Sequence, residues 1–170
     1  IGHTTGTTTD VHLPKTVSGG AMFRLKRTDS TSAWFTFDTV RGANKFIEWD
    51  NEVAEDTSTW TDQAASGTTL TLPSALATGT YLLEVFYVGS YFQIVTWTGT
   101  GVAKTESYPG TLDSAPGFVF TKQRLNAVYS HNSFHVGTGN TKYLAANGTS
   151  AATTDTTVWN STDPSTTQLS

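Results

Sequence analysis

The chain repeats part of its own sequence, and this internal repeat constrains the fold more than any other feature of the 170 residues. Lys45 and Lys142 lie 142 − 45 = 97 positions apart, and the same offset holds without a gap on both sides of that pair. The other matched pairs lie at turns and at positions typical of a core: Gly20 with Gly117, Phe23 with Phe120, Arg27 with Arg124, Phe37 with Phe134, Gly42 with Gly139 and Ala54 with Ala151. The pattern predicts two similar repeats of about 97 residues.

The offset changes by two residues at each end of the matched run. Upstream, Pro14 and Pro109 lie 109 − 14 = 95 positions apart, and downstream Trp60 and Trp159 lie 159 − 60 = 99 positions apart. Loop insertions produce changes of this size. We therefore expect a first repeat over residues 1–97 and a second, incomplete repeat over residues 98–170, either as separate domains or packed together as one unit.

The second repeat ends before any counterpart of the apolar stretch TYLLEVFYV at 80–88. Two explanations stay open at this point. The sequence is an excerpt from a longer repetitive chain, or neighbouring molecules supply the absent strands by strand addition. The second explanation predicts that the protein associates with itself.

Alternation of apolar and polar residues predicts a fold made of β-strands. In AMFRLKR at 21–27, Met22 and Arg24 fall on one face and Phe23 and Leu25 on the other. Further strands are expected at 33–40, 80–88, 90–99, 117–124 and 141–146, with one opening the second repeat at 97–101 and a short helix as the alternative at 51–57. Abundant Thr, Gly and Asn favour strands and turns. The predicted fold is an all-β, antiparallel β-sandwich.

Composition excludes several classes of function. The net charge of −4 argues against a nucleic-acid partner, which usually meets a basic face. The chain has no cysteine, which excludes disulfides, thiolate chemistry and cysteine-based zinc sites. No apolar run is long enough to span a membrane, so no membrane insertion is expected.

Several stretches resemble a tandem β-repeat found in tail-fibre and other virion-surface proteins of marine phages, cyanophages among them. The resemblance rests on KRTDSTSAWFTFDTVRGANK, TYLLEVF, WTGTG, PGFVFTKQR and KYLAANGTSAATTDTTVWNSTDPSTT, and it covers nearly the whole chain. The stretches SYPGTLDSAPG and VYSHNSFHVGTGN depart from the family pattern. The resemblance implies a jelly-roll or lectin-like sandwich on the virion surface, outside the cell. It also implies trimers or polymers, contacts with other virion or fibre proteins, and attachment to a host surface.

The stretch KFIEWDNEVAEDTSTW at 45–60 concentrates acidic side chains in a chain with only 14% charged residues. The positions of its five acidic residues correspond to 145, 147, 149, 152 and 153 in the second repeat, and the residues there are all uncharged. A site essential to the fold would keep its carboxylates, so a solvated surface is the first expectation. A Ca²⁺ site formed by Asp50, Glu52, Glu55 and Asp56 is the alternative, although the ligand spacing of an EF-hand is absent.

No catalytic constellation stands out, and the chain is expected not to be an enzyme or to bind any other cofactor. His131 and His135 fall on one face of a predicted strand, but their Cα atoms would lie about 13 Å apart, too far for one zinc ion. There is no G-x-S-x-G motif and no evident carboxylate pair. Trp49 replaces the Ala146 of the second repeat and lies beside acids, so Trp49, Asp50 and Asn51 are the predicted ligand-binding residues.

These observations predict a structural and adhesive module of a phage tail fibre or similar virion appendage. Two alternatives remain. The chain could be a subunit of an extracellular filament or pilus assembled by strand exchange, or a lectin-like module that binds a cell-surface glycan.

Overall fold

The computed structural model describes residues 9–57, 64–76, 78–126 and 128–170. The chain divides into two compact units, Ile1–Tyr87 and Val88–Ser170. The division follows directly after the last strand that pairs within the first unit. The repeat boundary predicted at residue 97 concerns similarity of sequence and stays a prediction.

The first unit contains a four-stranded and a three-stranded sheet, both antiparallel. The four-stranded sheet has the order β4 (Ile47–Glu48), β3 (Trp34–Asp38), β2 (Ala21–Arg27) and β7 (Tyr81–Tyr87). The three-stranded sheet has the order β1 (Thr9–His12), β6 (Thr69–Leu72) and β5 (Ala64–Ser66). A single 3₁₀ turn, Ser74–Leu76, follows β6.

Alternating side chains of the two sheets meet in one apolar core. Phe23 and Leu25 of β2 are fully buried, and the Phe23 ring stacks on Phe37 of β3 with 5.1 Å between centroids. Val11 of β1 and Leu70 of β6 enter the same cluster from the other sheet. The first unit is therefore a β-sandwich, and the alternation predicted at 21–27 is confirmed.

The second unit contains a four-stranded and a two-stranded antiparallel sheet. The larger sheet has the order β12 (Thr153–Thr154), β11 (Lys142–Ala145), β10 (Asn132–His135) and β9 (Phe118–Thr121), and the smaller one pairs β13 (Gln168–Leu169) with β8 (Glu106–Ser107). Phe134, Trp159 and Leu169 form the buried centre of this unit. The all-β, antiparallel prediction is thus confirmed, and no helix in the described part of the chain is long and apolar enough to cross a membrane.

The two units share the same pattern of backbone hydrogen bonds. Three bonds in the first unit have counterparts at the offsets found in the sequence: Leu13 N–Thr68 O with Tyr108 N–Thr167 O, Val17 N–Gly67 O with Leu112 N–Thr166 O, and Trp49 N–Trp34 O with Ala146 N–His131 O, all at 2.8 Å. The bridge between Phe46 and Asp56 likewise matches the pairing of Tyr143 with Thr153. The internal repeat is therefore a repeat of backbone structure as well as of sequence.

One part of the predicted repeat is wrong by a single residue. Phe23 pairs with Phe37 in the first unit, whereas Val119, not Phe120, pairs with Phe134 in the second. The paired residues Val119 and Phe134 are 134 − 119 = 15 positions apart, whereas Phe23 and Phe37 are 37 − 23 = 14 positions apart. A slip of one residue reverses which face a side chain occupies. Phe120 therefore lies away from the core, against the His131 ring at 5.6 Å.

Three expected elements are absent from the described part of the chain. The segments 90–99 and 97–101 contain no strand, because apart from a bridge between Gly89 and Phe92 their backbone has no partner strand. The segment 51–57 contains no helix, and its Asp56 instead forms the bridge to Phe46. Trp60, the predicted counterpart of Trp159, lies outside the described residues.

Candidate functional site

Asp50, a predicted ligand for calcium or sugar, has a structural role that the sequence did not indicate. Its Oδ1 accepts a hydrogen bond of 2.9 Å from the Trp34 backbone N–H. At the equivalent place in the second unit, Asn147 Oδ1 accepts a bond of 2.8 Å from the His131 backbone N–H. Asp and Asn both supply a side-chain oxygen here, so the repeat preserves the acceptor and not the charge.

Glu55, another predicted calcium ligand, belongs to a buried ion cluster. The Arg41 guanidinium lies 2.5 Å from Asp38 Oδ2 and 3.0 Å from Glu55 Oε2, and its third nitrogen donates to the Thr36 carbonyl at 3.0 Å. The three charged side chains are 4%, 5% and 6% exposed for Arg41, Asp38 and Glu55. The cluster fixes the turn after β3, where Asp38 Oδ1 also accepts the Arg41 backbone N–H at 2.8 Å.

The predicted Ca²⁺ site is not assembled by the fold. Asp50 and Glu55 have the separate partners described above, the Asp56 backbone bonds to Phe46, and Glu52 lies partly exposed. Among the residues that the structure describes, no three His, Asp or Glu side chains lie close enough to hold a metal ion together.

The predicted sugar-binding residues lie at the outer face of the four-stranded sheet. There the Arg24 guanidinium lies 4.9 Å from the Trp34 ring centroid, 5.1 Å from that of Trp49 and 5.9 Å from that of Phe86. We call these four residues the outer aromatic cluster. Trp49 is half-buried in it, and Asn51 Nδ2 donates to Glu48 Oε2 at 3.0 Å. These contacts hold the side chains against the sheet, and ligand binding by Trp49, Asp50 and Asn51 stays a prediction.

A different place, inside the second unit, contains a cavity. A half-open cavity of about 670 Å³ lies against the inner side of β9 and β10 and reaches β8 and β13. Its lining combines two indole rings with polar and charged side chains, among them Trp97, Lys104, Glu106, Thr121, Asn132 and Trp159. None of these residues was predicted as a site.

The cavity occupies space that apolar side chains fill in the first unit. Thr121 pairs with Asn132 where Leu25 pairs with Phe35 in the first unit. In the same way, Glu106 pairs with Leu169 where Val11 pairs with Leu70 in the first unit. Three core positions of the first sandwich, those of Leu25, Phe35 and Val11, are therefore occupied by polar residues in the second unit. Leu25 is fully buried, Val11 is 8% exposed, and Phe35 packs against the same core. The second unit has therefore exchanged part of its apolar core for a polar cavity.

The polar groups of the cavity differ in how far the protein satisfies them. Lys104 Nζ lies 2.5 Å from Glu106 Oε1 and balances the carboxylate charge, but this buried oxygen accepts no hydrogen bond from the described residues, so the contact is an ion pair only. Thr121 Oγ1 donates to the Asn132 carbonyl at 3.1 Å, whereas the Asn132 side-chain amide makes no hydrogen bond to the described part of the chain. That amide can donate two hydrogen bonds and accept two.

The two indole rings of the cavity have different surroundings. Trp159 is 3% exposed, its Nε1 donates to the Lys142 carbonyl at 3.0 Å, and its ring meets Phe134 edge-on with 5.9 Å between centroids. Trp97 is 45% exposed. Trp159 therefore forms a fixed wall that the unit's own core supports, while Trp97 offers an open ring at the edge.

The rim of the cavity is a turn held in a strained conformation. Asn160 and Ser161 have φ angles of 49° and 48°, in the left-handed region that costs energy for residues other than glycine. Ser161 Oγ donates to the Thr156 carbonyl at 2.9 Å. Beside it, the Thr157 hydroxyl and then its backbone N–H donate to Asp155, which lowers the pKa of that carboxyl. These bonds fix the rim before any ligand is present.

The cavity was not predicted because no single residue in it is unusual. From the sequence alone, a Thr, an Asn or a Glu on a predicted strand is assigned to the exposed face of the sheet, unless its counterpart in the other repeat is known. The signal in the sequence was the comparison of Val11 with Glu106, and it needed the correct register to extend to β9 and β10.

Comparison with known proteins identifies a match to a family whose function is unknown. No curated protein and no solved structure matches the chain. Residues 87–170 match a family model described as a domain of unknown function, DUF7483. The match begins where the structure divides, so it covers the whole second unit together with the last residue of β7. The part of the chain that contains the cavity is thus the part that is similar to DUF7483.

Proposed function

We propose that the chain is a non-enzymatic structural and adhesive module of a phage tail fibre or similar virion appendage. It would lie on the virion surface and contact the host through the polar cavity of the second unit. The observation that carries this proposal is the cavity itself, formed at positions where the first unit has a packed apolar core. The resemblance to tail-fibre repeats supplies the setting.

The division of labour between the units supports an adhesive role. The first unit has a continuous core and a buried ion cluster around Arg41, features that stabilise a scaffold. The second unit repeats the backbone pattern but opens its interior to a ligand. A binding site supported by a rigid β-framework is the usual arrangement of recognition domains.

The chemistry of the cavity supports binding without reaction. Hydrolysis of a glycosidic bond requires two carboxyl groups facing each other across the substrate. Among the described residues that line the cavity, Glu106 is the only carboxylate, and Lys104 pairs with it. A Glu held in an ion pair can orient hydroxyl groups but lacks the second acid.

Adhesion is tested by binding the fluorescently labelled chain to a panel of marine cyanobacterial cells and reading bound fluorescence by flow cytometry. We expect saturable binding to some strains and loss of binding when Trp97 is replaced by alanine. Tyr91→Ala is the matched control, since Tyr91 is an aromatic residue of the same unit, is 87% exposed and does not line the cavity. Absence of binding to every strain, or equal loss in both variants, would contradict the proposal.

A second candidate function, a filament subunit assembled by strand exchange, is favoured by the edge of β9. In the first unit β2 lies between β3 and β7, whereas in the described chain its counterpart β9 pairs only with β10. Because Val136 N donates to Gly117 O, the peptide N–H and C=O of Phe118 point away from β10. Phe118 is 54% exposed there. A free edge of this kind accepts an added strand.

Strand exchange is tested by the mass and appearance of the purified chain. Light scattering should show oligomers whose mass grows with concentration, and electron micrographs should show filaments. A monomer without filaments would exclude this second candidate and would leave the adhesive module intact.

A further inference from the structure

We infer that the cavity of the second unit binds a neutral saccharide residue, with Trp97 as its stacking surface and Asn132 and Glu106 as its hydrogen-bonding groups. The inference rests on the proposed function in one respect only, the choice of this cavity as the contact surface. It adds the class of ligand and the role of each side chain.

The cavity favours a polar occupant. A strand that completed the second sandwich would present apolar side chains, as Leu83 does where it pairs with Leu25 in the first unit. The corresponding position in the second unit is Thr121, and Asn132 lies directly opposite it. A polar wall disfavours an apolar strand, because the Asn132 amide would be buried without a partner.

The cavity has the size and composition of a small-molecule site. Its volume of about 670 Å³ lies within the range of roughly 300–1,000 Å³ that such sites occupy. Such sites combine apolar and aromatic walls with a few polar groups that fix orientation. Here the indole rings of Trp97 and Trp159 supply the walls, and Asn132, Thr121 and Glu106 supply the polar groups.

The aromatic and polar groups of the cavity match the two kinds of surface that a pyranose ring presents. A sugar presents C–H groups on one face, and their partial positive charge is attracted by the negative face of an aromatic ring. Trp97 is exposed enough to meet that face. The sugar rim presents hydroxyl groups that both donate and accept, which suits the amide of Asn132 and the carboxylate of Glu106.

The charges of the cavity lining balance each other. Lys104 and Glu106 are the only charged side chains among the described residues that line the cavity, and they form an ion pair. An anionic sugar would require a cation that is free to pair with it, and a cationic ligand would require a free carboxylate. The neutral sum of the lining therefore selects a neutral sugar.

The experiment is a glycan array probed with the labelled full chain, followed by titration of the strongest neutral glycan while tryptophan fluorescence is measured. The array carries neutral and acidic glycans. We expect binding to neutral glycans and a dissociation constant raised at least about tenfold by Trp97→Ala. The double variant Thr121→Leu with Asn132→Phe installs the residues of the first unit and should abolish binding by filling the cavity.

The controls separate folding from binding. Tyr91→Ala should bind as the unchanged chain does. The thermal transition of each variant is followed by circular dichroism. Should the double variant fail to fold, Trp97→Ala decides alone, because that ring is 45% exposed and is not part of the buried centre of the unit.

Each outcome has a definite meaning. Binding of acidic glycans alone overturns the assignment of a neutral ligand. Undiminished binding by the double variant or by Trp97→Ala overturns the cavity as the site, and loss in Trp49→Ala instead would move the site to the outer aromatic cluster. Absence of any glycan binding by a chain that still binds cells overturns this inference but not the proposed function, whereas absence of both overturns both.

Discussion

Arg41 shows at the scale of one residue how a buried charge can determine stability. Its guanidinium has two carboxylate partners, and all three side chains are at most 6% exposed. Replacing Arg41 by methionine leaves Asp38 and Glu55 buried without a cation, so we expect the free energy of unfolding of the first unit to fall by about 3–5 kcal/mol. Urea unfolding, combined with hydrogen exchange of the β3 amides, measures this change.

The control for Arg41 is Arg27→Met. Arg27 pairs with Asp29 at the surface, where the two side chains are 29% and 43% exposed. Surface pairs contribute little because water and salt screen them. A loss of stability equal to that of Arg41→Met would show that burial of the Arg41 cluster is not what makes it important.

Asp50 gives a second prediction, which compares removal of charge with removal of the acceptor. Asp50→Asn keeps the oxygen that Asn147 supplies in the second unit, so the free energy of unfolding should stay nearly unchanged. Asp50→Ala leaves the Trp34 N–H without this partner and should cost about 1 kcal/mol. Urea titrations with calcium and with a chelator provide the measurement. A stabilisation by calcium that Asp50→Asn abolishes would restore the predicted Ca²⁺ site.

Tyr108 is a buried hydroxyl that the second unit does not satisfy. It occupies the position of Leu13 in the first unit, and its hydroxyl has no hydrogen-bond partner in the described part of the chain. Tyr108→Phe removes an unpaired polar atom and should raise the free energy of unfolding by about 1 kcal/mol. Equal stability of the two proteins in urea would indicate that water satisfies the hydroxyl.

The same residue gives a pH dependence whose sign follows from burial. Burial raises the pKa of Tyr108 above its ordinary value of 10.0. As the pH rises, the Tyr108 hydroxyl therefore ionises in the unfolded chain before it ionises in the folded one. Its contribution to the free energy of unfolding is complete below the ordinary pKa and is lost as the pH rises through the higher pKa of the folded state. Urea titrations at about pH 8 and about pH 10.5 should show a smaller alkaline loss in Tyr108→Phe than in the unchanged chain.

At the scale of elements, the sequence predicted strands better than it predicted their registers. The alternation around Phe23 and Leu25 indicated both the strand and its buried face, because one face of β2 covers the core. Because Phe23 and Phe120 are identical residues at the repeat offset, the sequence predicted that they are equivalent, whereas Val119 occupies the position equivalent to Phe23. Only the hydrogen-bond ladder shows that Val119 faces the core of the second unit, since a gapless comparison does not reveal that the paired residues are one position further apart there.

The free edge of β9 gives a prediction about association. Strand addition at β9 requires close approach of a second backbone beside Phe118, which is 54% exposed. If the chain associates by strand exchange, Phe118→Lys places a charge at the edge and should shift the chain from oligomers towards the monomer, because lysine on an edge strand disfavours pairing. Sedimentation velocity measures the shift. Leu125→Lys is the matched control, because Leu125 is 87% exposed and lies outside every strand. Equal dissociation by both variants would exclude β9 as the contact.

At the scale of the whole molecule, the position of the cavity follows from the repeat, but its existence does not. Asn132 becomes informative only when Phe35 is known to be its counterpart, and that requires the ladders of both units. The outer aromatic cluster shows the opposite case. Trp49 and its acidic neighbours stood out in the sequence, yet the structure uses Trp49 and Asp50 to cover Arg24 and to bond the Trp34 backbone.

The exchange of an apolar core for a cavity predicts that the two units differ in stability. Leu25 and Leu70 are fully buried in the first unit, whereas the counterpart of Leu25 is Thr121 at the cavity wall. Less apolar burial means less stabilisation, so the second unit should unfold at a lower urea concentration. Hydrogen exchange read by mass spectrometry should show β10 amides exchanging before those of β2 as urea rises.

One variant and one ligand test that difference in stability between the units. Leu25→Ala should lower the stability of the first unit alone, by about 2–5 kcal/mol, and bring its transition towards that of the second. A saturating neutral glycan should slow exchange in β9 and β10 without affecting β2, because a ligand stabilises only the unit that binds it. If instead the amides of both units exchange together in the unchanged chain, and glycan protects both, the chain unfolds as one cooperative body. The cavity would then lower the stability of the whole molecule and not that of one half.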